Sequence, residues 1–159
     1  MIPQELTNCG RLYFLDIRSN IFGDDVQDIV GNFMSLKYLV LHRNKLHWRL
    51  VASGVLMLPV FARLGLNFNE FTGKLPPEVA DMKSLKYLML TKNNFSGRIP
   101  LDYGRLAEVK ALDVCNNRIS GGIPASIGNI CSLIWLMLIG NQLSEQYCLK
   151  LATAPACSG

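Results

Sequence analysis

The sequence predicts a solenoid of stacked coils with about six short parallel strands, one per coil, and three observations predict it. First, one nine-residue pattern recurs, with apolar residues at its first, fourth and sixth positions and asparagine at its ninth. It appears as Leu12-Leu15-Ile17-Asn20, Leu36-Leu39-Leu41-Asn44, Phe61-Leu64-Leu66-Asn69, Leu85-Leu88-Leu90-Asn93, Val109-Leu112-Val114-Asn117 and Leu133-Leu136-Leu138-Asn141. Second, the steps between these asparagines are 24, 25, 24, 24 and 24 residues. Third, further columns keep the same phase. Two residues after each asparagine stand Phe22, Leu46, Phe71, Phe95, Ile119 and Leu143, and six after stand Val26, Leu50, Leu75, Ile99, Ile123 and Tyr147.

Each element follows from this period. The apolar-x-apolar alternation puts both apolar residues on one side of a short strand, which predicts strands near residues 13–18, 37–42, 62–67, 86–91, 110–115 and 134–139. One coil cannot bury that side alone, so the coils stack, pair their strands in parallel and bury leucine on leucine. The chain must turn after each strand, and the turn leaves backbone groups inside. An inward carboxamide offers two donors and an acceptor to those groups, which accounts for Asn20, Asn44, Asn69, Asn93, Asn117 and Asn141 as a structural ladder. Thr72-Gly73, Ser96-Gly97 and Ser120-Gly121 mark turns, followed by Leu75-Pro76, Ile99-Pro100 and Ile123-Pro124. Ile2-Pro3 matches the last of these elements. Residues 1–144 are therefore assigned to repeats, the first and last incomplete, and 145–159 to an irregular C-terminal tail or degenerate cap.

Composition narrows the class. With 159 residues, half of them apolar and 18% charged, the chain is too apolar for a disordered tail and of a length for one domain. The longest weakly polar run, Val51 to Ala62, is shorter than the about 20 residues a membrane helix needs. Met1-Ile2-Pro3-Gln4-Glu5 shows neither the basic start nor the apolar run of a signal peptide. A net charge of +4 is mildly basic, and only His42 to Arg49 clusters it, which reads as an exposed basic turn rather than a nucleic-acid site.

These residues resemble the plant-type leucine-rich repeat. The stretch Leu85 to Gly128 follows that pattern almost residue by residue, including Asn93-Asn94-Phe95-Ser96-Gly97-Arg98-Ile99-Pro100 and Ile119-Ser120-Gly121-Gly122-Ile123-Pro124. The resemblance covers about residues 2 to 144 and is closest to ectodomains of leucine-rich-repeat receptor-like serine/threonine kinases. It implies an α/β-type horseshoe, with the strands on the concave face and loops and short 3-10 turns on the convex face. The first two repeats depart from it: Asp24 and Trp48 replace the glycine, and Gln27 and Val51 the proline. The family's N-terminal cap, signal peptide, membrane span and kinase are not found, so the chain reads as a piece of a receptor. The parent would lie at the extracellular face of the plasma membrane.

No constellation calls for catalysis, a cofactor or a metal. His42 and Cys115 share a repeat position but lie three coils apart, about 14 Å at the usual strand spacing. Asp24, Asp25 and Asp28 lack the spacing of a calcium loop and read as a solvated turn.

Recognition is the better candidate. Residues flanking the inward pair face the concave side, and the first such column is Phe14, Tyr38, Arg63, Tyr87, Ala111 and Trp135. Met89, Asp113 and Met137 stand in the next. Aromatic side chains with an arginine among them match the composition of binding hot spots, although stacking along the sheet also accounts for them. The expected ligand-binding residues are Phe14, Tyr38, Arg63, Tyr87, Met89, Asp113, Trp135 and Met137. The resemblance implies a peptide or small-molecule ligand, a co-receptor protein, or both, with no nucleic acid and no membrane contact by this segment. A secreted inhibitor on the same repeat, a truncated scaffold and a non-functional fragment are the alternatives. Cys9 and Cys131 read as buried thiols and Cys115 as an exposed one. Cys148 and Cys157 offer a C-terminal disulfide, as paired cysteines do in the family. Asn94-Phe95-Ser96 is a glycosylation sequon, with Asn94 expected to point outward.

Overall fold

The computed structural model describes residues 2–23, 26–47, 49–50, 54–57 and 60–144, with the side chains of Gln27, Asp28 and Met57 excepted. Ten strands are found among them. In chain order these are β1 (Phe14–Asp16), β2 (Tyr38–Val40), β3 (Arg63–Gly65), β4 (Thr72–Lys74), β5 (Tyr87–Met89), β6 (Asn94–Gly97), β7 (Ala111–Asp113), β8 (Arg118–Gly121), β9 (Trp135–Met137) and β10 (Gln142–Leu143). β1, β2, β3, β5, β7 and β9 form one six-stranded parallel sheet, in that order. Its register is the repeat register: Tyr38 pairs with Arg63, Arg63 with Tyr87, and Tyr87 with Ala111.

Behind this sheet the leucine columns close into one core. Leu39, Leu64, Leu88 and Leu112 are fully buried, as are Leu41, Leu66, Leu90 and Val114. Phe71 and Phe95 stack with ring planes 7° apart and centroids at 6.1 Å. Removal of side chains of this size from water stabilises by roughly 1.5–3 kcal/mol each. The sixth coil lacks this cover: Leu136 is 37% exposed although it occupies the inward column.

The asparagines sit inside the bend that follows each strand. Asn93 Nδ2 donates to Leu66 O and Leu90 O, both at 3.0 Å, while its Oδ1 accepts the Phe71 N–H at 3.1 Å. Asn44, Asn69, Asn117 and Asn141 repeat these three bonds in their own coils. Asn20 does not. It is exposed and donates only to Ile17 O and Arg18 O of its own coil. The expected inward role fails there because no earlier coil is placed against it to supply partners.

The far side of the coils holds a second sheet where turns were expected. β4, β6, β8 and β10 pair in parallel, starting at the first Thr-Gly and continuing through both Ser-Gly pairs. Gly73, Gly97 and Gly121 carry φ of 87°, 79° and 77°, the left-handed region that favours glycine. A Cβ on Gly97 would also lie 3.1 Å from the Lys74 side chain of the previous coil. The prolines that follow are extended and lead into 3-10 turns at Pro77–Asp81, Leu101–Arg105 and Ala125–Asn129. Pro3 introduces the same turn at Gln4–Asn8. Where Gln27 replaces proline, the chain forms one α-helical turn instead, α1 (Gln27–Val30).

One core residue is imperfect. Tyr103, on the turn after Pro100, is fully buried, and its hydroxyl has no hydrogen-bond partner. Burial, with the Glu78 charge adding to it, raises its ionisation far above the ordinary range, so it stays a neutral phenol. Tyr103→Phe removes an unsatisfied polar group without changing shape, so it is expected to leave the melting temperature unchanged or raise it. Tyr103→Ala should cost about 3–5 kcal/mol. A loss on Tyr103→Phe in thermal unfolding would show that the hydroxyl is satisfied in solution.

The ladder makes a second prediction. Asn93→Ala leaves the Phe71 N–H unsatisfied in a buried bend, at about 1–3 kcal/mol, and removes one of two amide donors from each of Leu66 O and Leu90 O, which Asn69 and Asn117 still serve. Neighbouring Asn94 is half-buried, and no hydrogen bond from its side chain is found. Asn93→Ala should lower the melting temperature by several degrees, at roughly 2–4 °C per kcal/mol for a chain of this size, and Asn94→Ala by far less. Equal melting points for the two variants would refute the ladder's role.

Candidate ligand-binding surface

The side chains of the six-stranded sheet that point away from the core form the candidate surface. Strand alternation positions them: in β2, β3, β5 and β7 the middle residue is buried, and its neighbours face the concave side. Phe14 is 50% and Trp135 55% exposed, at opposite ends of the first column. Tyr38 and Tyr87 are half-buried and Arg63 is exposed. The Arg63 guanidinium lies 5.7 Å from the Tyr87 ring centroid, within cation–π range. The Tyr38 ring packs against Tyr13 at 5.1 Å and Phe14 at 6.1 Å.

The next column is less open than expected. Met89 and Met137 are half-buried, whereas Asp113 between them is buried. Asp113 Oδ1 accepts the Cys115 N–H at 3.0 Å, so its carboxylate is engaged within the fold. Cys115, expected to be exposed, is buried beside it. Its thiol is pushed up by burial first, then by the Asp113 carboxylate, and is a poor nucleophile. At the other end of this column, Asp16 is bound to Arg18, with Arg18 Nε at 3.1 Å.

Sequence reasoning missed both rims. On one rim, the residue preceding each strand forms a column of Tyr13, Lys37, Ala62, Lys86, Lys110 and Ile134, and from Lys37 onward each N–H donates to the carbonyl of the column residue one coil before. On the other, the residue before each ladder asparagine carries positive φ: Ser19, Arg43, Phe68, Lys92, Asn116 and Gly140. A left-handed Phe68 is costly for a bulky side chain. It stands exposed, with the Arg43 guanidinium 5.2 Å and the Lys92 ammonium 4.8 Å from its ring centroid. Arg18, Ser19, His42, Arg43, Asn67 and Phe68 line a cavity of about 320 Å³ on this rim. Partial burial holds the His42 imidazole below its ordinary range, and nearby Arg18 adds to the effect. The spacing of five variable positions around two fixed ones carried the signal for both rims.

Other expected positions fall elsewhere. Asn94 lies in β6 on the second sheet, beside Thr72. Cys9 is exposed and free rather than a buried thiol. Cys131 is exposed and disulfide-bonded, so it is not a buried thiol either. Cys148, Cys157, Asp24 and Asp25 lie outside the described residues, as does the side chain of Asp28. Among the described residues, no cluster of three or more His, Cys, Asp or Glu is placed to hold a metal ion. None of their helices is long and apolar enough to cross a membrane.

The repeats 84–106 and 108–130 each match the family model described as Leucine Rich Repeat. The chain has the leucine-rich-repeat fold. No curated protein sequence matches it significantly. Among solved structures it is similar to the Arabidopsis receptor kinase HAESA, in complex with the peptide hormone IDA and the co-receptor SERK1. Identity is 33% and the TM-score 0.77, over 89% of this chain and 24% of that one. It is similar to the leucine-rich-repeat ectodomain of the Arabidopsis receptor kinase SOBIR1, at 28% identity and TM-score 0.72, over 82% of this chain and 71% of that one. A leucine-rich-repeat protein of the bacterium Leptospira interrogans matches at 30% identity and TM-score 0.79, over 91% of this chain and 35% of that one. This leucine-rich-repeat chain thus spans about a quarter of HAESA and about a third of the Leptospira protein.

Proposed function

We propose that this leucine-rich-repeat chain is a recognition segment of a plant cell-surface receptor of the receptor-kinase type, and that its concave sheet receives a peptide ligand. The observation that carries this reading is the outward column on a regular solenoid, with Phe14, Arg63 and Trp135 exposed and Tyr38 and Tyr87 half-buried. Large aromatic side chains on a solvent-facing sheet are stabilised by a partner that covers them. The likeness to HAESA, solved with a peptide hormone and a co-receptor, supports the same use. The role is binding, and the reading assigns no catalysis to this segment. Six strands at about 4.8 Å span roughly 24 Å, the length of an extended peptide of about seven residues.

The contact residues in this reading are Phe14, Tyr38, Arg63, Tyr87, Met89, Trp135 and Met137. Asp113 belongs beneath them as a buried support. In the parent protein, Tyr87→Ala or Trp135→Ala is expected to weaken ligand or co-receptor binding by about 2 kcal/mol or more, as hot-spot truncations do. Lys74→Ala on the second sheet should do little. Wild-type affinity in both concave variants, with a loss in Lys74→Ala, would place the site on the other sheet.

An extracellular location also makes Asn94 a glycan acceptor, since it sits half-buried on the second sheet, away from the proposed contact face. Chain secreted from plant cells should migrate faster after glycosidase treatment, and Asn94→Gln should abolish that shift. An unchanged mobility in wild-type chain would remove Asn94 from the reading.

A further inference from the structure

The charge of this protein is distributed unevenly. Five columns make up the concave sheet and its rims: the residue before each strand, the two outward strand positions, and the two residues before each ladder asparagine. Seven of the chain's 16 Lys and Arg stand in these columns, but only two of its 12 Asp and Glu, a surplus of five positive charges. The rest of the chain carries nine cations against ten acids, so the net +4 arises on this one face.

Both acids are already engaged. Asp16 is ion-paired with Arg18 at 3.1 Å, and Asp113 is buried and accepts the Cys115 N–H. Of the cations, Arg18 alone is held in an ion pair among the described residues. Lys37, Lys86 and Lys110 line one rim, Arg43 and Lys92 the other, and Arg63 lies between them; all but half-buried Lys86 are exposed. Lys37, Arg43, Arg63 and Lys92 rest on aromatic faces, which fix their direction while leaving their charge unneutralised.

We infer that the ligand of this face is an acidic, extended peptide segment. Its carboxylates meet the two basic rims, and apolar or aromatic side chains between them lie on Tyr38, Tyr87, Met89 and Trp135. This inference rests on the concave-face reading and adds the ligand's chemistry. A cleft lined by one sign of charge concentrates ligands of the opposite sign and speeds their encounter, in a salt-dependent way. Neighbouring cations along each rim repel one another, and a carboxylate placed between two of them removes that repulsion at both.

The test uses the whole 159-residue chain and three synthetic octapeptides, with Tyr at alternate positions and Glu, Gln or Lys at the others. Binding is followed calorimetrically at low and high salt. The Glu peptide should bind at least about tenfold tighter than the Gln peptide, the Lys peptide should not bind, and high salt should weaken the Glu complex roughly tenfold. Arg43→Glu combined with Lys92→Glu should lose the Glu peptide, whereas Lys83→Glu on the convex side should not. Both rim residues are exposed, and a thermal melt verifies that the double variant folds; Lys110→Glu provides an independent rim test. Equal affinity for the Glu and Gln peptides would overturn the acidic assignment while leaving the concave face as the site. Glu-peptide binding that survives rim reversal but is lost in Lys83→Glu would overturn the concave-face reading as well. Tighter binding of a 12-residue oligothymidylate than of the Glu peptide would overturn the peptide in favour of single-stranded nucleic acid.

Discussion

The asparagine ladder is the constraint on which the remaining structure depends. A coil of 24 residues has to reverse direction inside its own core, and the reversal leaves carbonyls and an N–H where water cannot reach. Leucine columns alone would bury those groups unpaired, at a cost that recurs in every coil. Asn44, Asn69, Asn93 and Asn117 remove it with one side chain each, and each spans two coils: Nδ2 reaches the carbonyl of the coil before, and Oδ1 receives an N–H from the same coil. The bonds therefore fix the stacking register as well as satisfying the bend. A shift of one residue would place Arg43 or Lys45, and Phe68 or Glu70, where a carboxamide is required.

The ladder also dictates the surface. To aim the asparagine inward, the chain turns through a left-handed residue immediately before it, in every coil from Ser19 to Gly140. That residue is forced outward at the rim of the sheet, whatever its type. Glycine would be the least strained choice, yet only the sixth coil uses it; coils two to four carry Arg43, Phe68 and Lys92. The left-handed position thus supplies the same rim with one protruding side chain per coil. Its chemistry is free to vary because the backbone, not the side chain, is what the core needs. Recognition and stability meet here without competing for the same atoms.

How far the sequence was legible follows from the same division. Residues that repeat were readable: the period assigns the inward leucines, the ladder and the parallel sheet, and resemblance to one repeat type follows from Leu85 to Gly128. What depends on the difference between coils was not. Asn20 has the ladder residue but lacks a preceding coil, so the pattern placed inside a side chain that lies outside. Leu136 meets the same fate at the other end. The second sheet escaped because Thr-Gly and Ser-Gly pairs are turn signals in isolation, and only stacking gives β4, β6, β8 and β10 partners. Asp113 and Cys115 were assigned to the open surface because alternation gives a direction but not a depth. The bond from the Cys115 N–H to Asp113 pulls both into the sheet.

The polarity of the concave face is the last consequence of the repeat. In a parallel sheet in register, equivalent residues of neighbouring coils stand directly beside each other, so any bias in a column is summed rather than averaged. Lys86 beside Lys110 is such a sum, and Arg43 and Lys92 either side of Phe68 is another. For two charges one strand spacing apart, about 5 Å as for the adjacent positions of Lys86 and Lys110, repulsion amounts to roughly 1 kcal/mol even in full water screening. A solenoid selected for stability alone would place a carboxylate between them, as the convex side does where Arg105 meets Asp81 and Asp102. The concave face instead keeps both its carboxylates tied down and, among the described residues, all its cations but Arg18 out of ion pairs. That arrangement weakens the isolated chain slightly and strengthens its hold on whatever brings the missing negative charge.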